Sequence, residues 1–377
     1  MIEHQQLTSI EIENFTSIRS ARVDLGPLNV LIGANGAGKS NLIQAFELLG
    51  HIGDGLLNLY TGLHGGASAL INDGAEDPRI TLTLTTPQHG YQVRVMTAAN
   101  DELVFDHEVL FTHDNGLSRA WTGSLGRGHR ESHLSTTSTD PIAKKAAARI
   151  ADLLSGCRTF DFHDTSYASV KRTAPTADNR SLRTDAGNLA AVLLRLRNSD
   201  HSADKAAYRR IIGAIRLVAP YFGDFVLQPD NTDRILLRWR DLTSDTVHAG
   251  DQMSDGTLRF ACLATLLLQP EPPKLILIDG PELGLHPFAI GQLADLLSSA
   301  STQSQILIAT QSVTLLNHFT ADDVIVAELR NGNSAFFRPN TAALQNWLAE
   351  YSIGELWEKN IIGGRPGSTG SVLDPPD

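Results

Sequence analysis

Residues 28–50 read LNVLIGANGAGKSNLIQAFELLG. The apolar run Leu28 to Ile32 between polar neighbours predicts a buried strand. Residues Gly33 to Ser40, GANGAGKS, match the G-x-x-x-x-G-K-S phosphate-binding loop, and SNLIQAFELLG after it places Leu42, Ile43, Ala45, Phe46, Leu48 and Leu49 on one helical face. Strand, glycine loop and helix stand in the order the motif requires. Glycines let backbone N–H groups converge on phosphate oxygens, and the helix N-terminus adds its dipole. Lys39 is spaced to reach the β- and γ-phosphates of a nucleotide and Ser40 to ligate Mg²⁺. Gly50 is expected to cap the helix at its C-terminus.

Upstream, LTSIEIENF at Leu7 to Phe15 alternates as a strand, so two strands are expected before the loop. From Gly53 to Gly74 the chain shows little periodicity and is read as loop. RITLTLTT, YQVRVMT and LVFDHEVLFT, between residues 79 and 113, predict an antiparallel meander, followed by an exposed loop from Asn115 to Pro141. Helix signals cover Ile142 to Leu154, Ala186 to Leu196 and Ala206 to Val218. A second β-rich block begins at Phe225 with FVLQP and RILLRWR, and after the helix LRFACLATLLL the run LILID ends in Asp279 as a buried parallel strand would. IAT at Ile308 and VIVAEL at Val324 continue that sheet, and the tail from Gly363 is expected to be disordered. The reading divides the chain into an N-terminal lobe with the phosphate loop and β meander (1–180), a helical insertion (181–224), a C-terminal lobe (225–345) and a final helix with tail (346–377).

The chain of 377 residues has room for about two and a half domains, or one large α/β domain with insertions. With 42% hydrophobic and 19% charged residues it cannot be disordered throughout. Its 31 Lys and Arg against 42 Asp and Glu give a net charge of −11, which excludes a wholly basic DNA-coating protein and leaves duplex DNA only a local basic patch. The candidates for that patch are Arg127, His129, Arg130, Lys144, Lys145, Lys171, Arg172, Arg180, Arg183, Arg195, Arg197, Arg209 and Arg210, with a solvated face as the plain alternative. Two distant cysteines, Cys157 and Cys262, suit a reducing compartment. No apolar run is long enough to span a bilayer and the first residues lack signal-peptide character, so a cytoplasmic protein without a membrane partner is expected. His107, Glu108, His113 and Asp114, and His129 with His133, match no recognised metal spacing and are read as loop or solvent residues.

The carboxylate Asp279 suits a Walker B residue that holds Mg²⁺ through water. DQMSDGTLR, residues Asp251 to Arg259, sets Ser254, Asp255 and Gly256 at a helix start, where an ordinary cap and a phosphate grip look alike by spacing. As a set, IENFTSI (Ile12 to Ile18), GANGAGKS, MSDGTLR, LILIDGPELGLHP (Leu275 to Pro287) and IATQS (Ile308 to Ser312) resemble the nucleotide-site elements of RecF/SMC-like ABC-type ATPases, in that group's order. They are most similar to the bacterial AAA-family ATPases related to OLD-type and anti-phage proteins, and FHDTS (Phe162 to Ser166) resembles a phrase typical of those. The likeness covers roughly residues 1 to 50 and 225 to 330. It implies an α/β P-loop fold of ABC head type, with a mixed central sheet, an antiparallel β lobe and a helical insertion. It also implies a homodimer closed over two ATP molecules. Asn35, Gly36, Gly38, Lys39, Ser40 and Asn41 would bind ATP, with Ser40 and Asp279 on Mg²⁺ and Ser254, Asp255 and Gly256 on the partner subunit's γ-phosphate. Leu283 to His286 would lie at the dimer seam. A small-molecule kinase needs neither MSDGTLR nor PELGLHP.

The pattern breaks after Asp279. The resembling proteins carry a water-polarising Glu there, and this chain has Gly280. Three explanations stay open: a natural or engineered loss that traps the ATP dimer, Glu282 approaching the water instead, or a regulated nucleotide binder. Gln311 takes the place of a γ-phosphate sensor that is often His, and it can hydrogen-bond but not carry a proton. Gln88 and Gln92 are candidates for the lobe-connecting glutamine. The expected function is ATP binding and slow hydrolysis in DNA surveillance, repair or anti-phage defence. The alternative is a scaffold or regulator of an effector nuclease, which would be supplied in trans.

Overall fold

The strand predicted at Leu28 forms the middle of a six-stranded sheet buried on both faces. The computed structural model describes residues 6–114, 118–135, 140–162, 173–244 and 246–365. The chain runs β1 (Ser9–Phe15), β2 (Ile18–Asp24), β3 (Leu28–Gly33), α1 (Lys39–Gly53), α2 (Leu57–Leu63) and α3 (Ala67–Leu70). β4 (Arg79–Thr85), β5 (His89–Thr97), β6 (Leu103–Asp114), β7 (Ser118–Gly126), α4 (Pro141–Leu154), β8 (Thr159–Phe160) and β9 (Ala174–Pro175) follow. Then come α5 (Leu189–Asn198), α6 (Ser202–Val218), β10 (Phe222–Phe225), β11 (Arg234–Ile235), β12 (Arg238–Asp241), β13 (Val247–Ala249) and α7 (Asp255–Leu268). The last part holds β14 (Leu275–Asp279), α8 (Pro287–Ala300), β15 (Gln305–Ala309), α9 (Val313–Leu316), β16 (Val324–Arg330), β17 (Asn333–Phe337), α10 (Thr341–Leu348) and α11 (Ile353–Glu358).

The central sheet has the order β17-β16-β3-β15-β14-β8, parallel except for β17. Alternate residues of these strands enter two different cores, as a pleat with both faces covered demands. Val30, Ile32, Ile276, Ile278, Ile306 and Ile308 face the core built with helices α5 to α8. Leu31, Leu275, Leu277, Leu307 and Ile325 face the core that includes α1 and the second sheet. That second sheet is antiparallel, in the order β2-β1-β4-β5-β6-β7. The β1–β2 turn meets the β16–β17 hairpin through Ser334 N, which donates to Ser17 O at 2.8 Å. The α/β head with its antiparallel lobe is therefore as expected.

Several local readings need correction. α1 runs through Gly50 to Gly53, and Gly50 serves close packing rather than a cap: a Cβ there would overlap the Cys157 carbonyl oxygen. The supposed loop from Gly53 to Gly74 contains α2 and α3, short helices stabilised by docking rather than by periodicity. Three strands precede the phosphate loop, since β2 pairs with β1. Part of the supposed loop from Asn115 is β7, paired to β6 through two register shifts that hide its alternation. RILLRWR splits into β11 and β12. Gly363 and Gly364 are buried against β16, where Gly364 N donates to Glu328 Oε1 at 2.7 Å. The rest of the expected tail, 366–377, lies outside the described residues, as do His163 to Ser166, Lys171 and Arg172. Among the described residues no helix is long and apolar enough to cross a membrane.

Candidate nucleotide-binding site

Register brings the predicted residues to one end of the sheet. Asp279 pairs with Ala309, and Ala309 with Leu31, so the carboxyl ends of β14, β15 and β3 are level and the loop after β3 rises beside them. Crevices outside such strand ends are where open α/β sheets take ligands. α1 begins at Lys39 with Gly38 as its cap, at φ 97°, with no side chain on its first amides and no acid in its first turn. A 15-residue helix thus offers open donors and its dipole to an anion.

The loop is clamped by residues that sequence reading missed. A Cβ on Gly38 would overlap Ser334 Oγ, Ser334 Oγ lies 2.6 Å from Ser17 Oγ, and Asn41 Nδ2 donates to Ser17 Oγ at 2.6 Å. Ser17 sits within IENFTSI, the one signal that could have found it. Lys39 is buried, its Nζ donating to Gly33 O (2.8 Å) and Ala34 O (2.9 Å). Burial pushes its ammonium below the ordinary lysine range, and Asp279 pulls in the opposite direction.

Ser40 Oγ donates to Asp279 Oδ2 at 3.1 Å. Both are hard oxygen groups of the kind Mg²⁺ takes, so the pair would fit the ion, Ser40 as a direct ligand and Asp279 through a water. Gly280 follows at φ 57°, its N–H donating to Ala309 O at 2.8 Å. Glu282 is 7% exposed; its Oε1 accepts from Thr310 Oγ1 (2.6 Å) and from Gln311 N at 3.4 Å. Its Oε2 is buried without a hydrogen-bond partner among the described residues. Gln311 Nε2 donates to Asn35 Oδ1, tying the end of β15 to the loop. Asn35, Gly36, Gly38, Lys39, Ser40, Asn41, Asp279, Glu282 and Gln311 therefore gather in one place.

Ser254, Asp255 and Gly256 belong to a second surface. Ser254 caps α7, its Oγ accepting from Thr257 N at 3.2 Å. A Cβ on Gly256 would stand 2.6 Å from Gly284 O, and one on Gly284 2.7 Å from Arg259 Nη1, so α7 abuts the turn after β14. Arg259 is buried with Nε donating to Phe162 O at 3.0 Å. Leu283 (52%) and Phe288 (55%) stand exposed on the same turn and helix start. Gln88 and Gln92 serve the antiparallel lobe, Gln88 Oε1 accepting from Arg149 Nη1 and Gln92 Nε2 donating to Thr83 Oγ1, each at 2.9 Å.

Comparison with known proteins matches residues 28–317 to the family described as "AAA domain, putative AbiEii toxin, Type IV TA system". The "Old nuclease" of Escherichia phage P2 is 24% identical over 364 residues, covering 88% of this chain and 60% of the nuclease. The chain thus spans about three fifths of that relative. Among solved structures, an Smc head bound to the C-winged helix domain of ScpA superposes with a TM-score of 0.57 at 15% identity, covering 88% of this chain and 97% of that one. An Smc head with an extended coiled coil bound to the C-terminal domain of ScpA, from Pyrococcus furiosus, gives 0.57 at 14% identity, with coverages of 91% and 98%. These likenesses establish the fold, and the family match covers most of the chain. The loop, the level strand ends and the head architecture agree with both: the chain belongs to this AAA-domain family, has the fold of the Smc heads and is similar to the Old nuclease.

Proposed function

We propose that the protein binds Mg·ATP between its phosphate loop and the α7 start of a second copy, closing as a dimer and hydrolysing ATP slowly. The observation that carries this is the Ser40–Asp279 hydrogen bond beside the open N-terminus of α1. Lys39, now folded onto two carbonyls, has its ammonium available for the β- and γ-phosphates once it swings away. Ser40 and Asp279 would hold Mg²⁺, which neutralises the charge developing on the transferred phosphoryl group. Gln311 and Asn35 position the rim of the site. Ser254 to Gly256 offer a hydroxyl and amides to the partner subunit's γ-phosphate, and exposed Leu283 and Phe288 favour a seam at that turn.

Slow turnover is argued from Gly280, which offers no group to polarise water, and from Glu282, which is engaged with Thr310 and Gln311. A second reading, a nucleotide-dependent scaffold or regulator of an effector nuclease, is favoured by that same glycine. A role in DNA surveillance, repair or defence against phage rests on the likeness to the Old nuclease. Arg127, Lys144, Lys145, Arg180, Arg209 and Arg210 are exposed for duplex contact. Arg130, Arg183 and Arg195 instead pair with Glu102, Asp178 and Asp204, and Arg197 bonds the Phe225 and Leu227 carbonyls. A cytoplasmic setting and the four-part division of the chain belong to the same proposal. Light scattering with and without Mg·ATP, read alongside phosphate release and repeated with duplex DNA, tests it. An ATP-dependent dimer supports the reading, and a monomer at saturating ATP rejects it.

A further inference from the structure

A second polar cluster lies in the antiparallel lobe, outside the nucleotide site. Glu108 of β6 is wholly buried, and among the described residues its ion-pairing neighbour is a histidine rather than a lysine or arginine. Its Oε1 accepts from Tyr91 Oη and Ser132 Oγ, both at 2.5 Å. Its Oε2 accepts from His133 N and faces His129 Nε2, both at 2.9 Å. The His129 and His133 rings stack with centroids 4.0 Å apart, and Phe105 backs His129 at 4.4 Å. His133 Nδ1 donates to Leu125 O at 3.0 Å, which puts the lone pair of the neutral ring on Nε2. One ligand atom from each of Glu108, His129 and His133 lies within 4.8 Å of the others.

A buried carboxylate needs a counter-charge, and among the described residues two imidazoles and no ammonium or guanidinium lie against it. We propose that Glu108, His129 and His133 bind a divalent transition-metal ion of the zinc class, with water in the fourth position. Two nitrogens and one oxygen suit that class rather than Mg²⁺ or Ca²⁺, which take oxygen sets. Two of the three ligands have the bonds that orient metal ligands, a carbonyl on the remaining nitrogen of His133 and two hydroxyls on the remaining oxygen of Glu108, while His129 Nδ1 is buried without a hydrogen-bond partner among the described residues. With bonds near 2.0–2.1 Å, tetrahedral ligands stand about 3.3 Å apart. The Glu108–His129 edge must therefore open by a few tenths of an ångström, and the stacked rings must splay until both Nε2 atoms converge.

The ion would also brace the lobe. It pins the segment after β7 to the sheet, and that segment carries Glu131, whose carboxylate accepts Leu57 N (2.7 Å) and Asn58 N (3.2 Å) at the start of α2. The strap thus joins the antiparallel lobe to the helix that follows α1.

The test is calorimetric titration of chelator-stripped, nucleotide-free protein with Zn²⁺, with Co²⁺ absorption as a second readout. One ion per chain is expected, with the intense visible bands of four-coordinate Co²⁺ and a rise in unfolding temperature. His133→Ala keeps the backbone N–H on Glu108 and so preserves the network that folds the strap; it should weaken binding at least about tenfold and abolish the bands. Ser40→Ala should change neither. Absence of stoichiometric binding, an affinity unmoved by His133→Ala, or the faint spectrum of six-coordinate Co²⁺ would each overturn the proposal.

Discussion

Gly280→Glu separates the two explanations for the slow turnover proposed above. The backbone there is left-handed at φ 57° and is held by the 2.8 Å bond from Gly280 N to Ala309 O, so it cannot relax without disturbing β15. A side chain in that conformation costs about 1–2 kcal/mol, well within a typical domain stability of about 5–15 kcal/mol. The variant should therefore fold, with a lowered unfolding temperature. A carboxylate placed to take a proton is worth about 10²–10⁴ in rate, or about 3–5 kcal/mol of barrier. Phosphate release at saturating Mg·ATP should rise at least about a hundredfold. Gly280→Asn, which tolerates left-handed backbone but takes no proton, should show little strain and no gain. If folded Gly280→Glu releases phosphate within about threefold of the parent, the missing carboxylate is not the limiting feature. Glu282, the next carboxylate on that turn, would then be the group to remove.

Lys39→Ala should erase the rise in unfolding temperature that Mg·ATP produces, because the loop loses its one ammonium; a retained shift would refute the phosphate-loop assignment. Burial holds Lys39 below its ordinary value of 10.5, so in that window the unfolded chain binds more protons and stability rises with pH. That slope should shrink in Lys39→Met, measured by urea unfolding between neutral pH and 10.5. Ser254→Arg should block ATP-dependent dimers in light scattering while leaving nucleotide binding to the single subunit intact. Gly38→Ala meets both a left-handed backbone and Ser334 Oγ, for about 2–5 kcal/mol in denaturant unfolding. Adding Ser334→Gly should return only the steric part, and a Gly38→Ala variant as stable as the parent would contradict the loop geometry.

The parts of the fold visible in the sequence are those whose cause is local. β3, α1, β14 and α7 announce themselves by apolar runs and periodicity, and the phosphate loop by glycine spacing, because the backbone there answers to its own residues. α2 and α3 were invisible because a few turns of helix exist only when docked. β7 was hidden by bulges that break strict alternation. Glu108, His129 and His133 fit no ligand spacing, since a strand and the strap after the next strand bring them together, and no linear pattern describes that.

The same limit applies within the nucleotide site. Spacing could place Lys39, Ser40 and Asp279, each at an element end, yet it left Ser254 to Gly256 undecided between a helix cap and a phosphate grip. The structure shows why: Ser254 is a cap, and what distinguishes it from other caps lies in its neighbours. Gly256 admits the Gly284 carbonyl, and Gly284 admits the Arg259 guanidinium, so both glycines make room for segments distant in sequence. A larger residue at either would push the α7 start away from the turn that follows Asp279. The glycine of MSDGTLR and that of PELGLHP thus form one contact, joining the surface proposed for a partner subunit to the strand that ends in Asp279.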